Sequence, residues 1–198
     1  MSNPYFRFKQ FTVWHDRCAM KVGTDGVLIG AWCDVDACRR ILDVGCGTGL
    51  ISLMIAQRTP DRTMIEGVEI DAVAAEQAAE NTDRSPWKNR LRIHTSDFLD
   101  FATSTTVRYD HIVSNPPYFE KSLLPEDVAR LTARHTGCLT YESLLRGAVS
   151  LLLPGGRISL IFPAGLHDSV SAIAREYGLF VRRTMWVSGR EGMPPKRV

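Results

Sequence analysis

The residues Asn115-Pro116-Pro117-Tyr118 combine an amide side chain, two prolines and an aromatic ring in four positions. A residue before proline is pushed into extended backbone, and proline has no N–H to donate, so Asn115 and Pro116 present oxygens that can accept hydrogen bonds. Such acceptors suit a nitrogen that is a poor nucleophile because its lone pair is delocalised: an exocyclic amine on a planar ring, or an amide. The Asn115 side-chain oxygen and the Pro116 carbonyl can grip its two N–H bonds and leave the lone pair aimed at an electrophile. Pro117 stiffens the bend, Tyr118 can stack on the ring, and Phe119 extends that surface. The plain alternative is a rigid surface turn, which is what most Asn-Pro dipeptides form.

The electrophile is read from a second element, Asp43-Val44-Gly45-Cys46-Gly47-Thr48-Gly49. Glycine accepts left-handed backbone and lets a ligand approach where a Cβ would collide, so this G-x-G-x-G run describes a ligand-contacting turn. A dinucleotide fingerprint asks for glycine or alanine at position 50, where the chain has Leu50, and NAD therefore fits less well. S-adenosylmethionine fits better, since it carries no phosphates and Asp43 can meet its α-amino group in a charge-assisted contact. Glu69, 26 positions after Asp43, can accept from both ribose hydroxyls, and Asp97 can accept from the adenine amino group. Taken singly, Glu69 reads as a solvated strand end and Asp97 as the N-cap of a short helix from Phe98 to Ala102. Taken together, the expected cofactor contacts are Asp43, Gly45, Cys46, Gly47, Gly49, Glu69, Ile70, Asp97 and Phe98, with Asn115 beside them. The expected chemistry is in-line transfer of the sulfonium methyl, with S-adenosylhomocysteine as product, no metal and no covalent enzyme intermediate.

These residues need a scaffold that brings strand ends to one edge. From Arg40 onward, short β-branched runs alternate with Ala/Leu-rich stretches of helical length, which predicts an α/β, doubly wound, mainly parallel sheet. Strands are expected at Arg40–Val44, Met64–Glu69, Leu91–Thr95, Tyr109–Ser114, Arg157–Phe162 and Leu179–Val187. Helices are expected at Gly49–Arg58, Asp71–Thr82, Thr140–Leu153 and His167–Tyr177, the third stopped by Pro154-Gly155-Gly156. Residues 1–39 read as an extension, with an extended piece around Phe6 and Phe8 and a helical run from Val27 to Cys33, while residues 40–198 form the main domain. The stretch Gly189–Lys196 reads as a loop and Arg197-Val198 as the start of a further strand, so the C-terminal hairpin is expected to be incomplete.

Composition narrows the class without naming a partner. The chain has 198 residues, 44% hydrophobic and 23% charged, with 24 basic and 22 acidic side chains for a net charge of +2. That balance excludes a disordered chain and gives no whole-molecule field for nucleic acid. No apolar run approaches the roughly 20 residues of a membrane span, and Pro4, Arg7 and Lys9 interrupt a signal peptide, so a cytoplasmic protein is expected, with a monomer as the default state. The five cysteines include no CxxC pair, which argues against disulfides and structural zinc.

The quoted motifs resemble the class I methyltransferases that act on planar amino groups, whose hallmark is Asn/Asp-Pro-Pro followed by an aromatic residue. More narrowly, Phe6-Arg-Phe-Lys-Gln-Phe11, Cys18-Ala-Met-Lys-Val-Gly-Thr-Asp-Gly26, Gly30-Ala-Trp32, Ser85-Pro-Trp87 and Asn115-Pro-Pro-Tyr-Phe119 are similar to the bacterial valine-tRNA adenosine-37 N6-methyltransferases. The resemblance implies a Rossmann-like fold in which Asp43, Gly45, Gly47 and Glu69 bind S-adenosylmethionine with Asp97 at its adenine. It also implies that Thr24 and Asp25 join them from a segment closing over the methionine end, and that Asn115, Pro116 and Tyr118 hold the target adenine. An anticodon loop is single stranded, so the base leaves its stack at less cost than in a duplex.

Basic residues flank these motifs. Arg7, Lys9, Arg17 and Lys21 precede the cofactor segment, and Arg130, Arg134 and His135 follow the catalytic turn. Of these, Lys9, Arg130 and Arg134 are the expected tRNA phosphate contacts, each with solvated surface as its alternative. His15, His94, His111 and His167 have no ligand spacing and read as structural or surface groups. A protein glutamine N5-methyltransferase presents the same two N–H bonds to the same turn, although such enzymes carry a separate helical domain before the glycine turn. DNA and ribosomal RNA are further candidate targets, and a cofactor-binding RNA module without turnover is the non-enzymatic alternative.

Overall fold

The computed structural model describes residues 3–116 and 139–198. In chain order the elements are β1 (Tyr5–Arg7), β2 (Thr12–Trp14), α1 (Thr24–Trp32), β3 (Arg40–Val44), α2 (Leu50–Arg58), β4 (Met64–Glu69), α3 (Ala72–Asp83), β5 (Leu91–Thr95), α4 (Phe98–Ser104), β6 (Tyr109–Ser114), α5 (Tyr141–Leu151), β7 (Leu152–Leu160) and α6 (His167–Glu176). Strands β3 to β7 form one sheet in the order β5-β4-β3-β6-β7, every neighbouring pair parallel. The order reverses direction between β3 and β6, the place where open α/β sheets leave a crevice at their carboxyl ends.

The runs read as strands are apolar on both faces because both faces are covered. Ile41 and Ile65 point into a core shared with Leu53 and Ile55 of α2, while Leu42, Val68 and Ile112 point into a second core with Phe101 of α4 and Leu144 of α5. Among the described residues no helix is long and apolar enough to cross a membrane.

The first forty residues belong to the first of these cores. β1 and β2 pair antiparallel, and Phe11, Val13 and Ile29 are buried with Ile41 and Leu53. Helix α1 lies alongside α2 through Gly26 and Gly30, one turn apart: a Cβ at Gly26 would come within 2.9 Å of Leu50 and one at Gly30 within 2.8 Å of Met54. The pairing of 26 with 50 and 30 with 54 makes the two helices run in the same direction. Arg58 then donates to the Gly30 and Cys33 carbonyls at 2.8 and 2.9 Å, satisfying acceptors at the end of α1.

The C-terminal part departs from the sequence pattern in two places. β7 begins at Leu152, directly after α5, with Pro154-Gly155-Gly156 inside it. The ladder with β6 pairs Tyr109 with Leu152 and His111 with Arg157, so β7 holds three more residues than β6 between those two pairs. A bulge absorbs them, with Gly155 at φ +77°. Leu179–Val187, expected as a strand, forms none. Phe180 is 79% exposed, and among the described residues the stretch has no ladder partner, without which β-propensity does not make a strand. Val187 instead makes a single antiparallel bridge to Arg197, which also bridges Pro163, and Val198 exchanges two 3.0 Å backbone bonds with Phe162. A largely apolar groove of about 820 Å³ lies between β7, α6 and residues 179–187.

Arg90 closes the open end of α2. It is 5% exposed and donates to the carbonyls of Ala56, Thr59 and Thr63 and to the Thr59 hydroxyl. Arg90→Ala removes the Arg90 donors from the buried Thr59 and Thr63 carbonyls and leaves Ala56 with the Thr59 N–H alone, and a loss of about 3 kcal/mol is expected in urea unfolding followed by circular dichroism.

Candidate active site

The parallel register collects the functional strand ends on one rim. Val44 pairs with Ser114 and Glu69 with Thr95, so the residues that follow come in the order Asp97, Glu69, the glycine turn, Asn115. The Ser114 hydroxyl donates to the Val44 carbonyl at 2.7 Å, and this bond sets Asn115 next to Gly45.

The glycine turn has the backbone its sequence demands. Gly45, Gly47 and Gly49 all have positive φ, at 68°, 53° and 77°, a region where side chains with a Cβ are strained. A Cβ built at Gly45 or Gly47 would meet nothing within 4 Å, so these two line an open cradle. The turn folds over the end of β4, with the Gly45 and Cys46 N–H groups both donating to Val68. Cys46 points its thiol at Gly67, where a Cβ would lie 2.8 Å from the sulfur. Its side chain is thus packing, and burial pushes the thiol well above its ordinary range.

Each rim carboxylate has a structural partner and unused capacity. Glu69 accepts from Gly47 N–H at 2.8 Å through one oxygen and from Asp71 N–H at 3.0 Å through the other, tying the turn to the start of α3. A carboxylate has about four acceptor sites, so both oxygens can still accept from hydroxyls. Asp97 is the N-cap of α4, one oxygen accepting from Leu99 and Asp100, so the plain reading of this residue holds and the second oxygen remains. Asp43 is completely buried. One oxygen accepts from the Ser52 N–H and hydroxyl at 3.0 and 2.7 Å, and the other has no partner among the described residues. A buried carboxyl oxygen left unpaired is costly in a folded protein and marks a place where a ligand donor fits.

The remaining expected residues divide. Ile70 is 55% exposed beside Glu69, and Asn115 is half-buried at the rim. Thr24 is exposed at the first turn of α1, which the Gly26–Leu50 contact sets beside the start of α2. Asp25 forms an ion pair with Arg197 at 2.9 Å. Phe98 is committed to the interior, its ring against Gly147 of α5. Lys9 is exposed in the β1–β2 turn between Phe8 and Phe11, and Phe11 packs against Trp87. Pro117, Tyr118, Phe119, Arg130, Arg134 and His135 lie outside the described residues. His111 is held between the Asp34 carbonyl and the Ser159 hydroxyl, and burial pushes it down to about 4. Among the described residues no group of three His, Cys, Asp or Glu side chains could hold a metal ion.

Ser52, Ser114 and Asn81 are site residues that the motifs do not announce. Ser52 lies one turn into α2, where its hydroxyl reaches back to Asp43, and a serine in an apolar helix of the sequence Leu-Ile-Ser-Leu-Met-Ile is the signal that could have flagged it.

Residues 27–177 match the family described as methyltransferase small domain. The chain is 51% identical over 198 residues to the tRNA1(Val) (adenine(37)-N6)-methyltransferase of Bacteroides fragilis, covering all of this chain and 83% of that protein. It is 48% identical over 193 residues to the protein of the same name from Yersinia enterocolitica, covering 98% and 77%. Among solved structures it resembles P. horikoshii TYW2, with TM-score 0.59 at 15% identity over 88% of this chain and 60% of that one. It also resembles TrmN from Thermus thermophilus, with TM-score 0.53 at 24% identity over 76% and 38%. These two likenesses concern the fold.

Burial, opposed by the Ser52 bonds and reinforced by the charge of Glu69, pushes Asp43 up from 3.8 to about 7. Between those values the folded protein holds a proton that the unfolded chain releases. The group's stabilising contribution is therefore complete below about pH 4 and lost as pH rises through about 7. Without ligand, the wild-type melting temperature should fall more steeply from pH 5 to pH 8 than that of Asp43→Asn, measured by calorimetry; superimposable slopes would contradict the raised value.

Proposed function

The chain belongs to the methyltransferase small-domain family, and on that premise we propose that it transfers a methyl group from S-adenosylmethionine to the N6 amino group of adenosine 37 in a valine tRNA. The observation that carries the reading is the Ser114–Val44 bond, which sets Asn115 beside the glycine turn on one rim. Similarity to the tRNA1(Val) enzymes along the full chain supports the choice of substrate.

The residues fit the cofactor. The unpartnered Asp43 oxygen suits an ammonium donor, the open space at Gly45 and Gly47 admits a ligand against the main chain, and the Glu69 oxygens suit a pair of hydroxyls. Asp97 has one oxygen for an adenine amino group, with exposed Ile70 beside it as an apolar wall. When bound, S-adenosylmethionine supplies an electrophilic methyl on sulfur and becomes S-adenosylhomocysteine.

The rest of the chemistry belongs to the turn after β6. The Asn115 side-chain oxygen and the Pro116 carbonyl accept the two N–H bonds of the target amine, which draws the nitrogen out of conjugation and orients its lone pair. As the new N–C bond forms and positive charge grows on nitrogen, the same two oxygens stabilise it, so they bind the transition state more tightly than the ground state, and the methylated nitrogen then releases one proton to solvent. Tyr118 stacks on the flipped base. Arg130 and Arg134, in the connection after this turn, take phosphates of the anticodon stem-loop.

Incubation with S-adenosylmethionine and a tRNA pool, followed by nuclease digestion and mass spectrometry, should yield N6-methyladenosine at position 37 of valine tRNA. Methyl label on a release-factor glutamine and none on RNA would reject the proposal. Asn115→Ala should lower kcat by about two to three orders of magnitude with cofactor Kd within about twofold; equal losses in both would make the turn structural.

A further inference from the structure

Asn81 lies near the C-terminal end of α3 and is 1% exposed. Asparagine is a poor residue for a helix interior, and a buried carboxamide must have its polar atoms satisfied. Here they are satisfied by two distant segments. The side-chain oxygen accepts from Trp14 N–H at 2.9 Å, and the amide nitrogen donates to the Trp14 carbonyl at 2.8 Å and to the Thr48 carbonyl at 2.9 Å. Thr48 stands between Gly47 and Gly49, so one side chain joins α3, the N-terminal segment and the glycine turn.

Gln77, one turn earlier and also 1% exposed, reaches the N-terminal segment alone. It accepts from Arg17 N–H at 3.1 Å and donates to the Asp16 carboxylate at 2.8 Å, while Arg17 pairs with Glu80 at 2.6 Å. Residues 14–17 thus run up α3 toward the rim, and the chain then passes through Cys18 to Thr24. His15 fastens this passage, accepting from Val22 N–H at 3.2 Å and bonding the Asn3 carbonyl at 2.9 Å.

We propose that Asn81 is a positioning residue for the cofactor: it fixes the Thr48 carbonyl, and with it the glycine turn, while clamping residues 14–17 so that Thr24 is delivered beside the start of α2, next to that turn. The inference rests on the reading of the glycine turn as the seat of S-adenosylmethionine. The physical reason is the freedom of the flanking glycines. Gly49 is left-handed, and the Thr48–Gly49 peptide is held at its N–H by the Cys46 carbonyl at 2.8 Å and at its oxygen by Asn81, so without Asn81 this plane is held on one side only. Glu69 holds Gly47 N–H on the rim side, and Asn81 holds Thr48 from the helix side. A turn held at both points meets the ligand already ordered, so binding free energy is not spent on ordering it.

The test compares wild type, Asn81→Ala and Gln77→Ala by titration calorimetry with S-adenosylmethionine, by steady-state kinetics with tRNA and by thermal melting. Asn81→Ala should raise cofactor Kd and KM about tenfold, leave kcat at saturating cofactor within about twofold, and leave the tRNA KM unchanged. Gln77→Ala, which loosens the N-terminal segment and spares the Thr48 bond, should raise cofactor Kd by about threefold or less. Unchanged cofactor affinity with a lowered melting temperature would overturn the proposal, as would a loss confined to kcat. If Asn81→Ala does not fold, the isostere Asn81→Asp replaces it: this variant keeps the acceptor for Trp14 N–H, turns an oxygen toward both carbonyls, and should show the same loss. A wild type that binds no S-adenosylmethionine would overturn the reading of the site itself, whereas a binding wild type with an equally tight Asn81→Ala overturns only this inference.

Discussion

A parallel sheet ends its strands with backbone groups that no neighbouring strand can satisfy, and the turn after β3 is where this constraint acts most strongly. The chain must leave the sheet and reverse into α2 within five residues, with the Gly45, Cys46, Gly47 and Gly49 N–H groups all bonded. Gly45, Gly47 and Gly49 make the path available through positive φ, but glycine only permits a conformation and does not select it. Selection comes from the Gly49 N–H bond to the Cys46 carbonyl within the turn and, from outside it, from Val68 at the end of β4, Glu69 on the rim and Asn81 behind it. The neighbouring strand and helix are thus part of the definition of the loop.

The rim carboxylates show how a structural and a functional role coexist on one side chain. Asp97 caps α4 with one oxygen, and Glu69 anchors the glycine turn and the start of α3 with two bonds. Neither task exhausts an acceptor-only group with several lone pairs, and holding one oxygen rigid aims what remains. Asp43 differs because its surroundings exclude water. A charge there is unfavourable until a cation arrives, so on the proposed function the group couples ligand binding to proton release, a linkage that an exposed carboxylate at the same strand end would lack.

Much of this was legible in the sequence, for identifiable reasons. Strands β3 to β6 are short apolar runs buried on both faces, and Gly45 to Gly49 announce a turn that few other residues could make. The misreadings have physical causes too. Pro154-Gly155-Gly156 reads as a break between helix and strand because composition cannot distinguish a terminus from a bulge inside a ladder. Leu179–Val187 has strand-like side chains, but a strand is a relation between two segments. Ser52, Asn81 and Arg90 were illegible for a shared reason: each is a polar residue whose partners lie 9 to 67 positions away, and no local pattern records a bond of that kind.

The N-terminal segment raises the question of why an extension is fastened to a helix and not to the sheet. An added edge strand would follow the twist of β5 and carry its residues away from the glycine turn, whereas a segment laid along α3 travels with the axis of the helix toward the rim. Backbone laid against a helix has no ladder to satisfy it, so the helix must supply side-chain acceptors and donors at the spacing of its own turn. Gln77 and Asn81, four residues apart, do this for Arg17 and Trp14. The same spacing recurs on the other side of the segment, where Gly26 and Gly30 let α1 settle against α2. Polar side chains that reach out of one helix and glycines that let another approach solve a single geometric problem. Together they carry the chain from the flank of the domain to the start of α2, beside the glycine turn, without interrupting the parallel sheet that the site depends on.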